Sequence, residues 1–135
     1  MDNSNERPLG WTTIMESKQL VEAGLPVETA DMSYTYDFDD SRYVTATTPA
    51  KNWIVPKYAE STKIKQVLPC WSLGALMQLL PRTIEQDYDL LITSEFVVIY
   101  QTLSKKVRFV SSQSSFLIEN VKNAIFFLLK HNLVR

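Results

Sequence analysis

The feature that most constrains this chain is its C-terminal stretch, from Phe116 to about His131. Leu117, Val121, Ala124, Ile125 and Leu128 recur at helical spacing and form one apolar stripe, with Glu119, Asn120, Lys122, Asn123 and Lys130 largely outside it. A helix of this kind draws its stability from laying that stripe on another element. Ser115 is expected to cap its start, and Asn132 to end it in the left-handed conformation. Upstream, the run Phe96-Val97-Val98-Ile99-Tyr100 is apolar on both faces, as a central strand would be. Together these elements predict an α+β fold, a small antiparallel sheet packed against two or three helices with a long C-terminal amphipathic helix.

The remaining elements follow from local signals. Thr13 and Glu16 have capping-box spacing for a helix from about Ile14 to Ala23. Gly24 suits the left-handed position after it, Leu25 can fold back on Leu20, and Pro26 stops continuation. Val27 to Thr47 reads as extended: Tyr34, Tyr36 and Phe38 alternate with Thr35 and Asp37, and Asp39-Asp40-Ser41 suggests a hairpin turn before Tyr43-Val44-Thr45. Between Thr48 and Leu68, Pro49 and Pro56 punctuate the chain, and a short helix is expected around Lys57 to Gln66. Ser72 is expected to cap a helix from Leu73 to Leu80, closed by Pro81, with Leu73, Leu76, Met77 and Leu80 as its stripe. Strands are expected over Tyr88 to Thr102, broken near Ser94-Glu95, and over Lys105 to Ser111, with a turn at Leu103-Ser104.

Composition narrows the function classes. A length of 135 residues suits one domain, expected over residues 11–135, with a polar, disordered segment over residues 1–10. Fourteen basic and fifteen acidic residues give a net charge of −1, without the footprint of a general nucleic-acid binder. One cysteine, Cys70, excludes an intramolecular disulfide. The longest apolar stretch, Ala124 to Leu129, is too short to span a bilayer, and no secretory leader is evident. A cytoplasmic protein without a membrane association is the expectation.

Pro69, Trp71, Ser72, Leu73, Leu76, Leu80 and Pro81 match a Pro-x-Trp-Ser-Leu-x-x-Leu-x-x-x-Leu-Pro segment, preceded here by Thr29-Ala30-Asp31-Met32. In this order of motifs, from about residue 14 onward, the chain resembles a group of small proteins encoded in phages, prophages and mobile elements of gut Bacteroidales. The resemblance implies a genomic context and a compact fold, with strands followed by a final amphipathic helix; no activity is assigned to the group. This chain departs from it in carrying Lys130 and Asn132 where more acidic residues and a terminal Gly would be expected. A shared surface function is therefore not carried over.

Each candidate site has a plainer structural reading beside it. Cys70 precedes a helix N-terminus, yet the only histidine is His131, and a buried structural thiol explains the residue more simply. His131 itself suits the last turn of a helix. Glu28, Asp31, Asp37, Asp39 and Asp40 form the densest acidic stretch, and a metal-dependent hydrolase could draw on Asp31, Asp37 or Asp39. Their spacing, however, matches a solvated turn better than a cation loop. Lys105, Lys106 and Arg108 lie on an expected strand beside Tyr100 and Phe109, where stacking and charge could bind nucleic acid. A charged edge that blocks strand-to-strand association explains the three cations with fewer assumptions. Phe126 and Phe127 diverge most. At about 100° per residue they lie roughly 140° to one side and 120° to the other of Val121. One helix face cannot bury both rings in one direction, so either the domain wraps this helix on more than one side, the plainer reading, or one ring is a candidate protein interface.

The expectation is therefore a non-enzymatic accessory protein of phage or mobile-element origin, acting through a protein partner or self-association at Phe126 and Phe127. The alternative is a nucleic-acid-binding accessory protein using Lys105, Lys106 and Arg108. No cofactor and no metal are expected.

Overall fold

The computed structural model describes residues 10–37, 42–46 and 64–134, which form three α-helices and two antiparallel sheets in an α+β fold. The sequence reads as one domain over 11–135; within it, the described residues pack as two compact units, 11–75 and 76–134. The boundary falls within a short helix.

In the first unit, α1 spans Ile14–Glu22 and opens with the expected capping box. Glu16 N–H donates to Thr13 Oγ1 at 3.1 Å, and the Glu16 carboxylate accepts from Thr13 N–H at 2.9 Å. It closes as its sequence requires. Gly24 takes φ +101°, its N–H bonds the Val21 carbonyl, and Leu25 N–H reaches back to the Leu20 carbonyl. Leu20 and Leu25 are both buried. The segment after Pro26, read as extended, begins instead with a 3-10 turn over Val27–Thr29, in which the Thr29 hydroxyl donates to the Pro26 carbonyl at 2.6 Å.

Three strands follow, β1 (Met32–Asp37), β2 (Arg42–Ala46) and β3 (Ile64–Cys70), in the order β2-β1-β3. The expected hairpin is present as the antiparallel β1–β2 pair, Ser33 opposite Ala46 through Asp37 opposite Arg42. Residues 38–41, which include the expected turn, lie outside the described residues. The short helix expected around Lys57 to Gln66 is corrected where it can be seen. Residues 64–66 belong to β3, where Gln66 faces Tyr36 and Ile64 faces Asp37 across the ladder; residues 57–63 lie outside the described residues. Pairing with β1 decides the conformation here, and the β-branched Ile64 and Val67 suit it. Pro69, read as a segment end, sits inside β3 opposite Ser33. An edge strand tolerates the missing N–H.

Thr12 ties this unit together. Its N–H donates to the Trp71 carbonyl at 2.9 Å, and its hydroxyl accepts from Trp71 N–H at 3.1 Å. That hydroxyl lies 2.7 Å from Ser17 Oγ, and the Thr12 carbonyl accepts from the Tyr34 hydroxyl at 2.7 Å. Thr12, Ser17, Cys70 and Trp71 have no exposed surface, so each internal bond offsets a desolvation that water cannot relieve. The Trp71 indole N–H donates to Thr29 Oγ1 at 2.8 Å, and Ser72 N–H donates to Asp31 Oδ1 at 2.8 Å. The Trp-Ser pair thus anchors back onto Thr29-x-Asp31.

Ser72 caps α2 (Leu73–Gln78) by accepting from Ala75 N–H at 3.1 Å. This helix ends two residues before the expected Leu80. Leu79 and Leu80 turn tighter, bonding the carbonyls of Leu76 and Met77. The stripe is corrected accordingly: Leu76 and Leu80 are buried, Met77 is exposed, and Leu79 takes the inward place.

The second unit is a meander, β4 (Thr83–Ile84), β5 (Tyr88–Ile92), β6 (Val98–Gln101) and β7 (Val107–Ser111), in the order β4-β5-β6-β7. The single broken strand expected from Tyr88 to Thr102 is two strands, and β4 had no sequence signal. Two five-residue turns share one plan. In Thr93–Val97 and again in Thr102–Lys106, the first threonine's N–H donates to the fifth residue's carbonyl, its own carbonyl accepts from the fourth residue's N–H, and its hydroxyl accepts the fifth residue's N–H. The fourth residue takes positive φ, +68° at Phe96 and +70° at Lys105. Lys105 and Lys106, expected on a strand, therefore lie in a turn.

Helix α3 (Leu117–Lys130) covers β6 and β7. Val121, Ala124, Ile125 and Leu128 are buried as the stripe requires, each large side chain stabilising the fold by about 1.5–3 kcal/mol. The cap is corrected: Phe116 holds the N-cap position without a side-chain bond, and Ser114, one residue before the expected Ser115, accepts Phe116 N–H at 3.0 Å. Leu117 is half-buried and Ile118 takes its inward place. Asn120, placed outside the stripe by its polarity, is fully buried with both ends of its amide engaged. At the other end Asn132 adopts φ +57°, and Leu133 N–H returns to the Leu128 carbonyl at 2.7 Å, the left-handed stop that the sequence predicts.

Candidate interaction surface

The two faces of the second sheet differ. On the helix side, Val98 and Tyr100 are fully buried, and the Tyr100 hydroxyl donates to the Pro81 carbonyl at 2.7 Å. Burial raises the Tyr100 pKa well above the ordinary phenol value. The register between β6 and β7 then breaks: Tyr100 faces Phe109, but Gln101 faces Val107, so Arg108 is an extra residue in β7. The bulge re-aims a side chain. Arg108 and Phe109, adjacent in sequence, both reach Phe127 of α3. The Phe109 ring stacks on it at 4.7 Å and the Arg108 guanidinium lies 5.0 Å from its centroid. His131 closes the group, its ring 4.6 Å from Phe127. Arg108 also pairs with Glu85 at 2.8 Å, a contact that holds the Glu85 carboxyl below its usual range and raises Arg108.

The structure thus joins Phe127 and Arg108, read as two separate candidate sites, into one cluster. Phe127 is half-buried within the chain's own stack, and Arg108 is engaged by Glu85. Phe126 is half-buried on another flank of α3. Lys105 and Lys106 are exposed, with no hydrogen bond or ion pair engaging either ammonium among the described residues.

The opposite face carries a feature that sequence reading missed. Leu91 of β5 faces Ile99 of β6, which faces Val110 of β7, forming one apolar row across three strands. Among the described residues no element covers the row fully: Leu91 is 43% exposed, Val107 and Val110 are 50% exposed, and Leu103 at the turn is 93% exposed. At the turn end, Asp89, Leu91, Gln101, Leu103 and Lys105 line a shallow hollow of about 220 Å³. Asp89 also lines a wider cleft of about 420 Å³ with Arg82, Thr83 and Leu90, so the two depressions adjoin. Asp89 accepts from the Thr83 hydroxyl at 2.9 Å. The signal lay in Phe96 to Tyr100: a run apolar on both faces reads as a strand covered twice, whereas the described elements cover this one once.

The remaining candidates have structural roles. Burial pushes the Cys70 thiol up to about 11, and the thiol donates to the Thr12 carbonyl at 3.5 Å. Cys70 and His131 belong to different units. Asp31 holds Ser72 by two bonds, to its N–H and its hydroxyl. Asp39 and Asp40 lie outside the described residues; among those described, no group of three or more His, Cys, Asp or Glu could hold a metal ion. No described helix is long and apolar enough to cross a membrane. No protein-family model, curated protein or solved structure matches the chain.

Proposed function

We propose that this chain is a non-enzymatic accessory protein of phage or mobile-element origin that acts by protein–protein contact through the open face of its second sheet. The observation that carries the interaction is the row Leu91, Ile99 and Val110, extended by Val107 and Leu103, at the surface. Contiguous exposed apolar side chains rimmed by polar ones mark an interaction site. The origin rests on the Pro69 to Pro81 segment alone. The outer strands do not invite a partner by strand addition. β4 has two residues, and β7 carries the Arg108 bulge with Lys105 and Lys106 beside it. Phe126 and Phe127 are secondary contact candidates on the helix side.

The test is capture of a partner from the native host by wild type and by Val110→Asp and Leu103→Asp variants, with far-ultraviolet circular dichroism confirming that each variant folds. A partner retained by wild type and lost by both variants supports the reading. The same partner retained by both overturns it. The nucleic-acid alternative predicts low-salt binding of DNA or RNA that weakens steeply with added salt and with Lys105→Glu.

A further inference from the structure

Resting on that reading, we infer that the open sheet face receives a single amphipathic helix from the partner, one that carries acidic residues beside its apolar stripe. The first argument is size. Three strands of four or five residues and the two-residue β4, spaced about 4.8 Å apart and at most some 17 Å long, present a face of about 250 Å². A stable globular interface takes roughly 800 Å² of accessible surface from each side, so for a second copy or a folded domain this face would be only part of the contact. A helix about 10 Å wide and three or four turns long is satisfied by it. The same sheet already demonstrates the fit, because α3, with fourteen residues, covers β6 and β7 on the opposite side.

The second argument is shape. The hollow between Leu91 and Leu103 suits one large apolar side chain, the kind of anchor that dominates helix-in-groove recognition. The third is charge. Lys105 lines the hollow and Arg82 lines the adjoining cleft, so the two depressions each carry a cation. Neither cation has a side-chain hydrogen bond or ion pair among the described residues. Asp89, the one carboxylate shared by both depressions, is hydrogen-bonded to Thr83. An acidic helix meets two cations here and a single, already engaged anion.

The experiment is panning of a displayed library of randomised peptides on the immobilised full chain, with binding of the enriched peptides measured by fluorescence anisotropy. The expected result is a helical consensus with apolar residues three and four apart and flanking Asp or Glu. Its affinity should fall about tenfold or more in Val110→Asp and in Lys105→Glu. Replacing the acidic residues of the peptide by lysine should weaken binding to wild type and restore it to Lys105→Glu. Enriched peptides that depend on Val110 but bind as extended strands, or show no acidic preference, overturn the helix and leave the open-face reading standing. Enrichment independent of Val110, or no enrichment at all, overturns both.

Discussion

The side-chain amide of Asn120 donates to the carbonyl oxygen of Phe96 at 2.8 Å, joining the second turn of α3 to the turn between β5 and β6. The same nitrogen donates to the Ser114 carbonyl at 2.8 Å. The amide oxygen accepts from the Ser111 hydroxyl at 3.0 Å and from Ser114 N–H at 3.3 Å. One buried residue therefore satisfies groups from β7, the loop before α3 and a turn.

Removing it strands those groups together. Asn120→Ala should destabilise the chain by about 2–4 kcal/mol, and Asn120→Leu should do no better, since the partners stay buried and unpaired. Urea unfolding followed by circular dichroism reads the shift. A loss below about 1 kcal/mol would mean that water replaces the amide at this position.

The turn residues carry a different kind of strain. Lys105 at φ +70° is exposed, so Lys105→Gly should relieve left-handed strain at little packing cost. The unfolded chain gains freedom in return, leaving a net gain of a few tenths to about 1 kcal/mol. Thermal melts should rise accordingly. Thr102→Val should act oppositely, by about 1 kcal/mol, because Lys106 N–H loses its hydroxyl acceptor.

Gly24 separates strain from crowding. A methyl group there would touch nothing within 4 Å, yet φ is +101°. Gly24→Ala should therefore cost about 1 kcal/mol from the backbone alone, with Gly24→Asn costing less. Equal stability of the alanine variant in chemical denaturation would show that the end of α1 relaxes to a right-handed turn.

The buried thiol sets an alkaline limit. Burial raises Cys70 from 9.0 to about 11, so between these values the folded state holds a proton that the unfolded state releases. Stability must then fall as pH climbs through that window, and be unaffected by this thiol below it. Denaturation curves from pH 8 to pH 11 should show the fall, with a shallower slope in Cys70→Ala. Tyr100, raised for the same reason, adds to the loss at higher pH. Thiol reagents at pH 8 should label the folded chain far more slowly than the unfolded one.

Local chemistry was legible in the sequence and long-range pairing was not. Thr13, Glu16 and Gly24 fix both ends of α1 through neighbours within a few residues, and Asn132 does the same for α3. Ser115 failed as a cap because Ser114 and Asn120 complete that corner through β7, a partner invisible to local spacing. Ile64 to Gln66 became strand because β1 lies beside it. The open apolar face escaped notice for a related reason. Hydrophobicity along β6 reports that both faces are apolar, but the position of α3 decides which one is covered. Arg108 and Phe127 meet only because a bulge inserts one residue into β7.

The two turns built on Thr93 and Thr102 begin nine residues apart and close by the same bonds, each supplied by its own threonine. Their folding instructions are thus self-contained, and the second, third and fourth residues of each are free to serve another end. In the first turn the fourth residue lends its carbonyl to Asn120, an internal duty. In the second, Leu103 and Lys105 border the hollow on the open face, an external one. A lineage could rewrite the tip of the second turn to change what the surface recognises, while the hairpin beneath it went on assembling as before.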